Sequence, residues 1–69
     1  MTRPHTHIEF WHTDGTILET SDANAAPFAL KIGEQFIIGN TPYQVVEIID
    51  TEPREEDGTL YYRRIVRVK

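Results

Sequence analysis

Short apolar runs alternate with clusters of turn-forming residues along this chain, and one stretch, Gly33 to Asp50, organises the rest. Phe36-Ile37-Ile38 and Tyr43 through Ile49 are rich in β-branched and aromatic residues, the types that fit a pleated, half-buried surface. Gly39-Asn40-Thr41-Pro42 between them is turn chemistry, because Gly and Asn tolerate positive φ and Pro42 brings no ladder donor. The pattern predicts a β-hairpin with a four-residue loop at the centre of a small all-β domain. Its exit, Thr51 to Gly58, reads as a charged loop holding Glu52, Glu55, Glu56 and Asp57.

On the N-terminal side, Met1 to Thr6 reads as a disordered lead-in, with Pro4 favouring extended backbone at Arg3. His7 to His12 is a predicted strand, and Asp14-Gly15 is the strongest short-range signal for a type I′ hairpin. A two-residue loop there pairs His12 with Ile17, Trp11 with Leu18 and Phe10 with Glu19. Ile8, Phe10, His12 and Ile17 then share one face, and Glu9, Trp11, Leu18 and Thr20 the other. Residues 21–30 break the pattern. Pro27 bars a central-strand role, Ser21 or Asp22 is a candidate cap for one helical turn, and Phe28 is expected to tuck under the barrel. Strands are therefore expected at 7–12, 16–20, 34–38, 43–50 and 59–68. Five short strands with frequent turn signals point to an SH3-like five-stranded barrel, or to a strongly bent antiparallel sheet covered by the 21–30 segment.

The last strand is two-faced. Leu60, Tyr62, Arg64, Val66 and Val68 form the better core face, and Tyr61, Arg63, Ile65, Arg67 and Lys69 the other. Arg64 on the core face needs a partner, since an unpaired buried guanidinium is very costly. Two solutions offer themselves: a cross-strand pair with Glu47, which interrupts the Tyr43, Val45, Glu47, Ile49 row in the same way, or a β-bulge at Tyr62-Arg63 that turns Arg64 outward.

Length limits what this architecture can hold. Sixty-nine residues make one small domain that buries roughly 60% of its unfolded surface, so a partner that adds burial is attractive. There is no cysteine to staple it, which fits a reducing compartment. No leader and no apolar run near the ~20 residues of a membrane span is present, and a cytoplasmic protein is expected. The formal charge of −4 argues against bulk attraction to nucleic acid or anionic membranes.

Chemistry adds little. No P-loop, Rossmann fingerprint, GxSxG or HExxH spacing occurs, and the carboxylates are scattered, so neither catalysis nor a cofactor is expected. His5 and His7, two apart on one side of an extended chain, form the one weak metal-like grouping. Tyr61, Arg63, Arg67 and Lys69 share a face that combines stacking with phosphate contact, the basis of a single-stranded nucleic-acid alternative. Alternating Arg and Lys also simply keep a strand soluble. Apolar residues on both faces of several strands, with Trp11, Leu18, Tyr43 and Ile65 as candidates, point instead to a protein-interaction module whose partner is another chain or its own copy.

Overall fold

A computed structural model describes residues 2–69 of the chain. It is all-β, with six strands: β1 (Arg3–His12), β2 (Ile17–Ala23), β3 (Gln35–Ile38), β4 (Thr41–Asp50), β5 (Arg54–Glu56) and β6 (Thr59–Val68). They form one strongly curled open sheet, a half-barrel consistent with a small β-barrel, in the order β2-β1-β6-β4-β3, with β5 pairing the start of β6. No helix is present among the described residues, so none is long and apolar enough to cross a membrane.

The curl can be read from two aromatic rings. Phe10 on β1 and Phe36 on β3 are three strand spacings apart in the sheet order, about 14 Å if the sheet were flat. Their ring centroids are 5.9 Å apart, edge to face, so the sheet bends until its outer strands meet across the core. Ile8, Phe10, Val45, Val66 and Val68 fill that core, and Leu18, Leu30, Phe36, Ile38, Tyr43 and Ile48 pack against it. Thr6 is buried as well, and its hydroxyl donates to the Ala25 carbonyl at 2.6 Å, which ties the segment after β2 to β1.

β6 lies between β1 and β4, which explains why Val66 and Val68 are wholly buried. One pair departs from an antiparallel sheet: β1 runs parallel to β6, from Arg3 opposite Thr59 to His12 opposite Val68. Arg3 to Thr6 are thus strand and not a disordered lead-in, because Thr59 to Tyr62 supply their ladder. Met1 lies outside the described residues.

Each of the three hairpins corrects the sequence reading at its turn. At Thr13-Asp14-Gly15 the loop has three residues: the His12 carbonyl accepts from Gly15, and Thr16 donates to the Asp14 carboxylate at 2.8 Å. Only Gly15 has positive φ there, whereas a type I′ turn needs it at both central residues. The extra loop residue is compensated by a bulge at Leu18, so Phe10 still faces Glu19 while Trp11 faces Ile17. Leu18 consequently turns to the core and Ile17 to solvent, the reverse of the expected faces.

The type I′ geometry occurs instead at Asp57-Gly58, with φ of 50° and 77°, inside the stretch expected to be loop. It joins β5 to β6 and pairs Glu56 with Thr59. At the third hairpin Gly39-Asn40 alone form the turn, since Thr41 pairs with Ile38 and Pro42 with Ile37. The predicted four-residue loop is shorter because Ile37–Pro42 is a non-hydrogen-bonded pair, where the missing N–H breaks no ladder bond to β3, and β6 does not reach that far along β4.

Residues 24–34 are irregular, without the single helical turn considered for them, and β2 takes in Ser21, Asp22 and Ala23. Phe28 is about half exposed and lies beneath no barrel. Its ring faces the Arg64 guanidinium at 6.0 Å. Arg64 does stay on the core side, but neither expected solution holds. Its Nε and one terminal nitrogen donate to both Asp50 oxygens at 2.7 and 3.1 Å, and the other donates to the Phe28 carbonyl at 2.7 Å. The bulge is in β4, between Val45 and Glu47, not at Tyr62-Arg63. It flips the parity of β4, so Ile48 and Asp50 face inward while Glu47 and Ile49 face out.

Candidate functional site

The outer face of the sheet, opposite the core, carries the chemistry. β1 contributes His5, His7, Glu9 and Trp11 to it, and β6 contributes Tyr61, Arg63, Ile65 and Arg67 by strict alternation in register. The β4 bulge adds Ile49 opposite Ile65 and Glu47 opposite Arg67. Trp11, Ile49 and Ile65, from three neighbouring strands, gather round a shallow depression of about 280 Å³ bounded by His12, Gly15 and Arg67. Two larger hollows, of about 480 and 390 Å³, flank His5 and Tyr61, with Arg3, Asn24, His7, Arg54 and Arg63 among the residues that line them.

Of the residues expected at an interface, Trp11 and Ile65 line the depression. Leu18 and Tyr43 sit on the other side of the sheet, packed against the core, with Tyr43 edge-on to His12 at 6.1 Å. Ile49 is not among the residues expected from the sequence, and it completes the apolar group. Alternation counted from Tyr43 places Ile49 inward, and nothing in the sequence marks the Val46 bulge that reverses it.

The residues of the nucleic-acid alternative are together on this face, but their charges are engaged. Arg63 donates to Glu9 at 3.4 Å and Arg67 to Glu47 at 3.2 Å, and the Tyr61 ring meets His5 edge-on at 5.6 Å. Lys69 follows the end of β6, exposed. Both arginine side chains stay about half exposed, and the carboxylate beside each offsets part of the charge that a phosphate would meet.

His5 and His7 do lie on one side of β1, and the structure supplies them with a partner from β2. Asp22 Oδ1 meets His5 Nε2 at 3.1 Å and His7 Nδ1 at 3.0 Å. The second nitrogen of each ring is also held: His5 Nδ1 by the Asn24 carboxamide at 3.1 Å, His7 Nε2 by Glu9 Oε2 at 3.0 Å. Glu9 Oε1 accepts from the Trp11 indole at 2.9 Å. A continuous row, Asn24–His5–Asp22–His7–Glu9–Trp11, therefore crosses from the edge strand to the apolar depression.

These contacts set the proton affinities. Asp22, then Glu9, raises the pKa of His7, and Asn24, then Asp22, raises that of His5. The Trp11 donor, then His7, lowers the Glu9 pKa, and the two histidines lower that of Asp22. No three histidines or carboxylates among the described residues are disposed to hold a metal ion, and the ring nitrogens of His5 and His7 are occupied by hydrogen bonds. Asp22 is a strand residue and not the expected helix cap, and its place opposite His7 depends on β2 continuing to Ala23. Comparison with protein-family models, with curated proteins and with solved structures finds no match to this chain.

Proposed function

We propose that the chain is a non-catalytic binding module that docks another protein chain, its own copy included, on the outer face of β1, β6 and β4. The observation that supports this reading is the apolar group of Trp11, Ile49 and Ile65, three large side chains from adjacent strands, on the face the core does not use. Apolar burial is worth roughly 25 cal/mol per Å², so covering a few hundred Å² contributes several kcal/mol before the costs of association. Trp11 is the anchor, because large aromatics dominate interface energetics and its indole is already oriented by Glu9. Arg67 and Glu47, paired beside the depression and about half exposed, form a polar rim able to exchange partners.

The test is sedimentation across a wide concentration range with Trp11 emission followed in parallel. Association is expected to shift the emission to the blue, and Trp11→Ala is expected to weaken association more than folding. A chain that stays monomeric throughout, with Trp11 already shielded from a soluble quencher, removes self-docking on this face.

A further inference from the structure

His7 has a carboxylate on each side of its ring. Asp22 Oδ1 lies 3.0 Å from Nδ1 and Glu9 Oε2 lies 3.0 Å from Nε2. Neutral imidazole has one N–H and one lone pair, so it can donate to one of these oxygens while its lone pair points at the other. Only the imidazolium donates to both. The two carboxylates have different jobs. Asp22 belongs to β2, which has β1 as its single neighbour, and Glu9 holds the Trp11 indole and receives Arg63.

We infer that His7 is a proton-operated latch on the docking face: the charged ring ties the edge strand β2 to β1 through Asp22 and steadies Trp11 through Glu9, and the neutral ring releases one of the two. The regulation of docking follows from the proposed function and rests on it, whereas the latch itself is a property of the free chain. Other charged groups around His7 bear on the same proton. His5 on β1 shares Asp22 and opposes a second positive charge, and so does Arg63, opposite His7 on β6. Glu52 and Arg54 line the same hollow with opposite signs. The two carboxylates in direct contact outweigh them, in keeping with the raised affinity of the ring for its proton.

Docking is expected to be tighter when the latch is charged. Glu9 then faces two cations and the indole is held, whereas with His7 neutral only Arg63, at 3.4 Å, offsets the carboxylate that carries Trp11.

The experiment is a pH titration of the full chain from about pH 5 to 9 by nuclear magnetic resonance, at a concentration where sedimentation gives the monomer. The His7 ring is expected to titrate above 6.5, and the Trp11 indole N–H resonance to move with the same midpoint. Glu9→Gln is expected to lower the His7 midpoint and abolish the response of Trp11. Asp22→Asn is expected to lower the midpoint while Trp11 still follows it. His7→Gln is expected to flatten the Trp11 curve. A Trp11 signal that stays flat while His7 titrates overturns the latch. So does one that survives His7→Gln, or a His7 midpoint at or below 6.5. Sedimentation at pH 5.5 and 8.5 then addresses docking separately. Coupled titration in a chain that never associates through Trp11 overturns self-docking and leaves the latch standing. Association through Trp11 with no coupled titration does the opposite.

Discussion

Val66 and Ile65 are neighbours on β6 whose truncation should have unequal consequences. Val66 is fully buried opposite Phe10 on one side and Ile48 on the other, whereas Ile65 is half-buried on the outer face opposite Glu9 and Ile49. Val66→Ala removes two methyl-sized groups from the core, about 1.6 kcal/mol of lost transfer free energy at 0.8 kcal/mol per group. The void they leave, roughly 50 Å³, adds about 1 kcal/mol if the curled sheet does not collapse into it. A loss near 2.5 kcal/mol is large for a chain of 69 residues, whose whole stability is on the order of 3–10 kcal/mol. Ile65→Ala leaves no sealed void, since water fills the open depression, and is expected to cost about 1 kcal/mol. Urea unfolding by far-ultraviolet circular dichroism measures both. The midpoint should fall more for Val66→Ala, with the slope unchanged in each variant. Equal losses would refute the division of β6 into a core face and a free face, and with it the case for docking on the outer side.

Other outcomes concern the turns, the arginine and the histidines. Gly58→Ala meets no neighbouring atom but must hold φ near +77°, so thermal unfolding should show a loss of about 1–2 kcal/mol that is purely backbone strain. Leu18→Ser is expected to destabilise and Ile17→Ser to be nearly neutral by the same measurement. The reverse ranking would restore the two-residue turn and remove the bulge. Arg64→Met keeps the length of the side chain but abandons Asp50 and the Phe28 carbonyl, and is expected to cost about 1–3 kcal/mol. Asp50→Asn should cost less, because Asp50 is about half exposed and screened by solvent. Stability should also depend on pH. The raised histidines contribute fully below their unfolded pKa near 6.5, and this is lost as pH rises through their higher folded values. The lowered Glu9 and Asp22 contribute above about 4.5, and this is lost as pH falls through their lower folded values. Urea midpoints should therefore be highest between roughly pH 4.5 and 6.5, and His7→Gln should lessen the decline on the alkaline side, with His5 supplying what is left.

The all-β class, the two-faced last strand and the hairpin at Gly39 are legible in the sequence because each depends on local residue type. The rest depends on where the chain gains or loses one residue of register. Leu18 and Val46 are bulged, and nothing about a leucine or a valine announces that. Each bulge reverses inside and outside for the neighbouring strand residues, so simple alternation puts Ile17, Leu18, Glu47 and Ile49 on the wrong face. Two Asp-Gly pairs carry the same turn signal. Asp14 uses its side chain to bind Thr16 and builds a three-residue loop, while Asp57 goes into positive φ and builds the tight turn. The partner of Arg64 is out of reach because Asp50 faces inward only after the β4 bulge, and the row of groups through Asp22 because it needs β2 to run on to Ala23 past its expected end at Thr20. Trp11 and Ile65 can be found because alternation along an unbulged strand is enough to place them.

The parallel pairing of β1 with β6 also governs how the fold is reached. Phe10 meets Val66 only after the chain between them has closed on itself, and that closure costs about 3.5 kcal/mol in chain entropy for some 55 residues. The central strand of the sheet is the last of the strands to be synthesised, so β1 and β2 leave the ribosome as a hairpin with no sheet to join. β3 and β4 emerge in the same position. Neither hairpin finds the strand that joins it to the other until residue 68 is clear of the exit tunnel. Folding should thus be a single late event, in the millisecond-to-second range of chains dominated by distant contacts. Stalled chains that end before Val66 should be open to proteases along their whole length.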